Sequence, residues 1–112
     1  MANCLSASFN YSNCQSASFN YSDCQSANFK NADCLGANFN SAKCLSTDFT
    51  NANLKNADFR ISYITNGHFK GANLTGAILP DWLNTKAKFI AEVGAGNVDA
   101  NTIWIDGTSI LS

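Results

Sequence analysis

Five cysteines, Cys4, Cys14, Cys24, Cys34 and Cys44, stand ten residues apart in the first half of the chain. Thiols repeated at fixed spacing raise soft-metal binding or redox sensing as candidate chemistry, but a reactive cysteine needs a thiolate, favoured by exposure and nearby positive charge. The spacing contains no CxxC, which argues against a zinc knuckle or a thioredoxin-like motif, and an odd number excludes a full disulfide framework. The other chemical groups are as sparse. His68 is the only histidine, and no Ser-His-Asp or Cys-His set assembles around it. Asp23, Asp33, Asp48 and Asp58 recur at equivalent places instead of pairing as acid and base. Gly67, Gly71 and Gly76 form no GxGxxG or phosphate loop. No catalytic, cofactor-binding or metal-binding residue is expected, and the chain is read as a non-enzyme.

What positions these residues is a pentad rule. Every fifth residue from Cys4 to Leu79 is Cys, Phe, Leu or Ile, and two residues before each stands a small residue, usually Ala. A fixed short period means a solenoid. Five fits neither the helical period of 3.6 nor the strand period of 2. The chain must therefore turn once per pentad to keep every fifth side chain on one side. Within each extended piece, residues two apart share a face. Ala7 with Phe9, and Ala37 with Phe39, then point inward together. His68 and the four aspartates fall in the outward position before a centre.

The alternation of Cys and Phe sets the number of sides. A 15-residue coil would stack Cys4 on Phe19. A 20-residue coil stacks like on like: Cys4-Cys24-Cys44-Ile64, Phe9-Phe29-Phe49-Phe69, Cys14-Cys34-Leu54-Leu74 and Phe19-Phe39-Phe59-Leu79. Close packing penalises voids and overlaps alike, so four sides are expected. The cysteines become buried core filling, and Cys4, nearest the open end, is the one most exposed to oxidation.

The units Ala27-Asn28-Phe29-Lys30-Asn31, Ala52-Asn53-Leu54-Lys55-Asn56 and Ala72-Asn73-Leu74-Thr75-Gly76 resemble the pentapeptide-repeat family, whose pattern is A(D/N)LXX. The resemblance implies an all-β fold, a right-handed quadrilateral β-helix of about four coils; the handedness comes from the resemblance alone. Cysteine replaces the usual Leu or Phe at five centres, which a small buried hydrophobe allows.

Residues 1–80 are assigned to the solenoid and 81–112 to a capping segment of the same domain. Asp81 is expected to cap a helix starting at Trp82, with Leu83, Ala87, Ile90 and Ala91 on one face and Gly94 and Gly96 ending it. The competing reading keeps Ala87-Lys88-Phe89 as a further inward unit. Thr102-Ile103-Trp104-Ile105 reads as a strand and Asp106-Gly107 as a turn. Trp82, Phe89 and Trp104 are expected to be lids over the last coil. The first coil has no such cover in the sequence, which suggests a homodimer through its N-terminal edge.

The chain has 112 residues, a formal net charge of -1 and 13% charged residues, about half the usual share. Residues 1–80 carry four aspartates against five lysines and arginines, a net +1. Direct nucleic-acid binding is not indicated. Neither a leader, with Met1-Ala2-Asn3 running into the first repeat, nor a membrane span is expected, and a reducing cytoplasm is the expected compartment. The function expected is a protein-interaction module with an unidentified protein partner. Leu5, Leu45 and Tyr63, on the least polar wall, are the candidate surface. The alternative is imitation of duplex DNA to inhibit or protect a DNA-processing enzyme such as gyrase, as the resemblance implies for some members of the family. It is disfavoured by the +1 charge and by a height of only about 20 Å for four coils.

Overall fold

The computed structural model describes residues 3–112. Met1 and Ala2, where the sequence reading starts the first coil and pairs Ala2 with Cys4, lie outside the described residues.

The chain winds as a right-handed quadrilateral β-helix. Parallel bridges join residues twenty apart, from Asn3 with Asp23 to Asp58 with Ile78, so each coil has twenty residues and four walls. We number the walls by their first centre: Cys4 (wall one), Phe9 (two), Cys14 (three) and Phe19 (four). Each wall is a single extended step, held below and above by ladder bonds; the Phe39 N–H donates to Asp58 O at 2.7 Å and the Asn38 N–H to Ala17 O at 2.8 Å.

Two local devices turn the corners. Where Asn or Asp precedes a centre, its side chain accepts a bond from the N–H two residues on: Asn38 Oδ1 from Asn40 at 2.8 Å, Asp48 Oδ1 from Thr50 at 2.9 Å, Asn28 Oδ1 from Lys30 at 2.8 Å. Asn and Asp side chains favour such turns over longer strands. From Cys4 to Leu74 the second residue after each centre is left-handed, with φ between 55° and 63° at the twelve non-glycine corners. Ser and Asn supply most of these corners. At Gly71 a Cβ would stand 2.0 Å from Asn51 Oδ1, so there the neighbouring coil as well as the φ of 70° demands glycine.

Inside, the phenylalanine columns of walls two and four meet edge to face along the axis. Phe39 stacks on Phe19 at 5.0 Å and on Phe59 at 4.9 Å, and meets Phe29 and Phe49 edge-on at 5.4 Å each. The smaller Cys, Leu and Ile columns fill the other two walls. Where a hydroxyl replaces Ala at the small inward position, a carbonyl of the coil below accepts its proton: Thr47 Oγ1 donates to Cys24 O at 2.6 Å, and Ser62 Oγ to Phe39 O.

The cap corrects the expected helix. Pro80 has φ −55° and ψ 145°, and a 3-10 turn follows at Asp81–Leu83, so Asp81 lies within a turn instead of capping a helix. The helix α1 spans Lys86–Val93, and Thr85 is its N-cap, with Oγ1 accepting from the Lys88 N–H at 3.1 Å. Phe89 and Val93 are its buried residues, while Ala87 and Ala91 face solvent. Gly94 ends α1, and Gly96 lies in a second 3-10 turn, Ala95–Asn97.

The competing reading captured the side chain, not the backbone. Phe89 comes from a helix yet lies 5.1 Å above Phe69, extending the wall-two column. Thr102-Ile103-Trp104 then rebuilds one pentad. Ile103 bridges Asn73, Trp104 takes the centre place above Leu74, and Thr102 Oγ1 donates to Phe69 O at 2.8 Å. The chain turns at Gly107, φ 86°, and Ile103 pairs antiparallel with Ser109. Phe89 and Trp104 are lids, in edge contact at 5.4 Å. Trp82 is not a lid: it is 48% exposed.

Candidate functional site

The cap covers the four walls unequally. On wall two the Phe69 N–H donates to Asn97 O at 2.8 Å, and on wall three the Leu74 N–H donates to Ile103 O at 2.8 Å. On wall one the ladder contact is a longer one, from the Asn66 N–H to Glu92 O at 3.3 Å, at the corner toward wall two. The corner between walls four and one is therefore where the regular coil stops without a replacement strand.

The cause is Pro80. In lower coils this corner is closed by the Tyr21 N–H donating to Asn40 O at 3.1 Å and the Ser41 N–H to Arg60 O at 2.9 Å. The equivalent acceptor for Ile61 is Pro80 O, but that carbonyl has swung away to accept from the Leu83 N–H at 2.9 Å. A cleft of about 300 Å³ opens there, with Asn40, Arg60 and Ile61 on one side and Leu79, Pro80, Asp81 and Trp82 on the other.

Two of the lining side chains, Ile61 and Trp82, are large, apolar and exposed, and two more exposed apolar residues lie near them in the chain. Ile61 is 60% exposed and Trp82 48%; Tyr63, two residues from Ile61, is 57% exposed, and Ile78, bridged to Asp58 on wall four, 47%. Ile61 also holds a left-handed φ of 57°. That conformation is an outlier for a β-branched residue, and such strain collects at functional sites. The polar rim is the Arg60–Asp58 pair, Nη2 to Oδ2 at 2.8 Å with Nε also donating. The Arg60 hydrogen bonds hold the Asp58 carboxyl below its usual range.

The sequence-predicted surface residues do not converge. Leu5 lies on the first coil, exposed; Leu45, two coils up in the same column, is half-buried. Tyr63, exposed, stands on wall one above Lys43, two residues from Ile61. Sequence reasoning missed Ile61 and Ile78, and read Trp82 as a lid. The available signal was Ile61 itself, a β-branched residue in a corner slot held elsewhere by Ser, Asn, Gly or Tyr.

His68 is exposed, on wall two above Asp48. Asp23, Asp33, Asp48 and Asp58 each accept the N–H two residues on. All five cysteines are free and buried. Burial pushes the Cys34 thiol up to about 12. No group of three or more His, Cys, Asp or Glu side chains able to hold a metal ion occurs among the described residues. No helix among them is long and apolar enough to cross a membrane.

A four-walled coil with a twenty-residue period, Asn or Asp before most centres and a left-handed corner after them defines a right-handed quadrilateral β-helix. The family model for pentapeptide repeats matches in eight copies, over residues 7–43, 17–56 and 42–80. The chain belongs to the pentapeptide repeat family. Among solved structures it is similar to a pentapeptide repeat protein of the Arabidopsis thaliana thylakoid lumen, at 32% identity and a TM-score of 0.69, covering 70% of this chain and 54% of that one. It is also similar to HetL, a pentapeptide repeat protein involved in heterocyst differentiation regulation in the cyanobacterium Nostoc, at 18% identity and a TM-score of 0.44, covering 96% and 53%. A third is the pentapeptide repeat protein Rfr23 of the cyanobacterium Cyanothece, at 22% identity and a TM-score of 0.38, covering 88% and 64%. The chain thus spans 53% to 64% of the length of these solved relatives. No curated protein sequence matches it.

Proposed function

We propose that this protein is a non-enzymatic interaction module that engages a protein partner through the cleft between walls four and one. The observation that supports this is a cleft of about 300 Å³ lined by the exposed Ile61 and Trp82, with the exposed Tyr63 and Ile78 close by in the chain, two residues from Ile61 and next to Leu79. Aromatic anchors beside a recess, with a polar rim, are the anatomy of a binding hot spot. The strain at Ile61 gives the reading a stability signature. Asn tolerates the left-handed region that Ile does not, so Ile61→Asn should raise stability by about 1 kcal/mol in denaturant melts. The same change should weaken partner capture, as should Trp82→Ala, while Leu5→Ser leaves capture intact. Capture unaffected by both cleft variants contradicts the site.

A second contact is proposed at the other end, between two copies of the first coil. There the N–H and C=O groups of Ser8, Asn13 and Ser18 have no ladder partner below them among the described residues, and Phe9 is partly exposed. Such edges template pairing. Light scattering across a concentration series in reducing buffer should show a dimer; a monomer at every concentration rejects the contact. The five reduced cysteines suit a reducing compartment, and the cytoplasm is the location proposed.

A further inference from the structure

The cysteine columns hold thiols in a register that allows a covalent bond between coils. Asn3 bridges Asp23 and Asp23 bridges Lys43, so Cys4, Cys24 and Cys44 follow one another up wall one; Asn13 with Asp33 sets Cys14 below Cys34 on wall three. The Cys4 N–H donates to Asp23 O at 2.8 Å, as the Cys24 N–H does to Lys43 O. In-register neighbours on such a ladder stand about 4.8 Å apart. A disulfide needs Cα atoms roughly 4.4–6.8 Å apart, which the ladder spacing meets, and Cβ atoms about 3.5–4.5 Å apart, which a small local approach of the two coils supplies. Access differs along each column. Cys24, Cys34 and Cys44 are fully buried, whereas Cys4 and Cys14, on the first coil, keep 8% and 7% of their surface.

We propose that Cys4 and Cys24 form a thiol–disulfide exchange site, in which a small-molecule disulfide oxidises them to a bond that staples the first coil to the second. The Cys4 thiolate attacks one sulfur of the reagent, whose S–S bond breaks; the departing thiolate takes up the Cys4 proton. The Cys24 thiolate then attacks Cys4 Sγ and expels the second reagent thiolate, which takes up the Cys24 proton. Two protein thiols become one disulfide, and one reagent disulfide becomes two thiols. The third cysteine of the column assists the second step. Hydrogen bonds from Cys44, and then from Cys4, hold the Cys24 thiol below its ordinary range against the opposing effect of burial. Burial raises the first-coil thiols of both columns, Cys4 and Cys14, alike; what differs is the second coil, where burial raises Cys34 and no third thiol stands above it. The bond closes a loop of one coil, and the coil it fixes is bridged on one side only among the described residues.

The test is incubation of the folded, full chain with oxidised glutathione, followed by thiol counting and non-reducing peptide mapping. Chymotryptic cleavage after Phe9, Tyr11, Phe19, Tyr21 and Phe29 separates the cysteines of the first two coils. The expected result is a fall from five free thiols to three and a linkage between the Cys4 and Cys24 peptides within one chain. Cys14→Ser should keep that linkage. Cys24→Ser should lose it and retain a glutathione adduct on Cys4. Five unreacted thiols, a Cys14–Cys34 linkage, a bond between two chains or a lasting glutathione adduct on wild-type Cys4 each overturn the proposal. The wild-type map decides the matter even where a variant folds poorly.

Discussion

At the scale of the residue, each pentad position has a separate physical task, and substitutions should separate them. Phe39 is fully buried and touches four other rings. Phe39→Ala should cost about 3–5 kcal/mol in chemical denaturation. Asn40, one residue on, contributes outer polar contacts, and Asn40→Ala should cost under about 1 kcal/mol. Equal losses would contradict the assigned frame. Cys34 gives a pH test. Its folded pKa is raised from the ordinary 9.0 to about 12, so the unfolded thiol ionises first as pH climbs. Its contribution is complete below pH 9.0 and is lost progressively as pH rises toward about 12. The loss should reach a few kcal/mol, at about 1.4 kcal/mol per unit of difference. Cys34→Ala should flatten the alkaline decline in denaturation midpoint; parallel declines in both proteins would show that other groups cause it.

At the scale of the element, α1 exists to deliver one side chain. It is eight residues long, too short to be stable alone, and its anchors are Phe89 and Val93. Phe89→Ala removes the ring above Phe69 and should cost about 3–5 kcal/mol. Thr85→Ala removes only the cap bond and should cost about 1 kcal/mol. Thermal melts of the two variants in parallel check the ratio; a cap variant as damaging as the ring variant would mean that helix formation, not ring burial, holds the lid. The cap also shows where sequence reading failed. The apolar spacing over residues 83–91 fits a helix starting at Trp82, but Pro80 O is taken by Leu83, and Thr85 supplies the extended residue and hydroxyl that a start requires.

At the scale of the whole molecule, stability should be graded along the axis. A solenoid's coils contact only their neighbours, so inner coils are held from both sides and outer ones from one. Amides of Phe29, Phe39 and Phe49 should exchange with solvent far more slowly than those of Phe9 and Cys14, although all are ladder-bonded. Hydrogen exchange resolved by residue checks this. Uniform protection would mean that the first coil has a partner in solution, which the light-scattering series would detect.

The repeat itself was legible in the chain because its spacing is a packing rule written once per pentad. Like must stack on like and small must precede large, which a twenty-residue coil satisfies and a fifteen-residue coil does not; the bridges from Asn3–Asp23 to Asp58–Ile78 follow that register. The tasks of Asp23, Asp33, Asp48 and Asp58 were half legible. Their outward place was evident, but their bonds to the N–H two residues on depend on corner geometry. The cleft was not legible. It arises from one carbonyl, Pro80 O, turning from Ile61 to Leu83, and from a returning segment that covers walls two and three but not the corner between four and one. Local periodicity fixes how identical coils stack. The place where stacking stops depends on contacts between residues 61, 80 and 83, which sequence spacing does not encode and only the folded chain brings together.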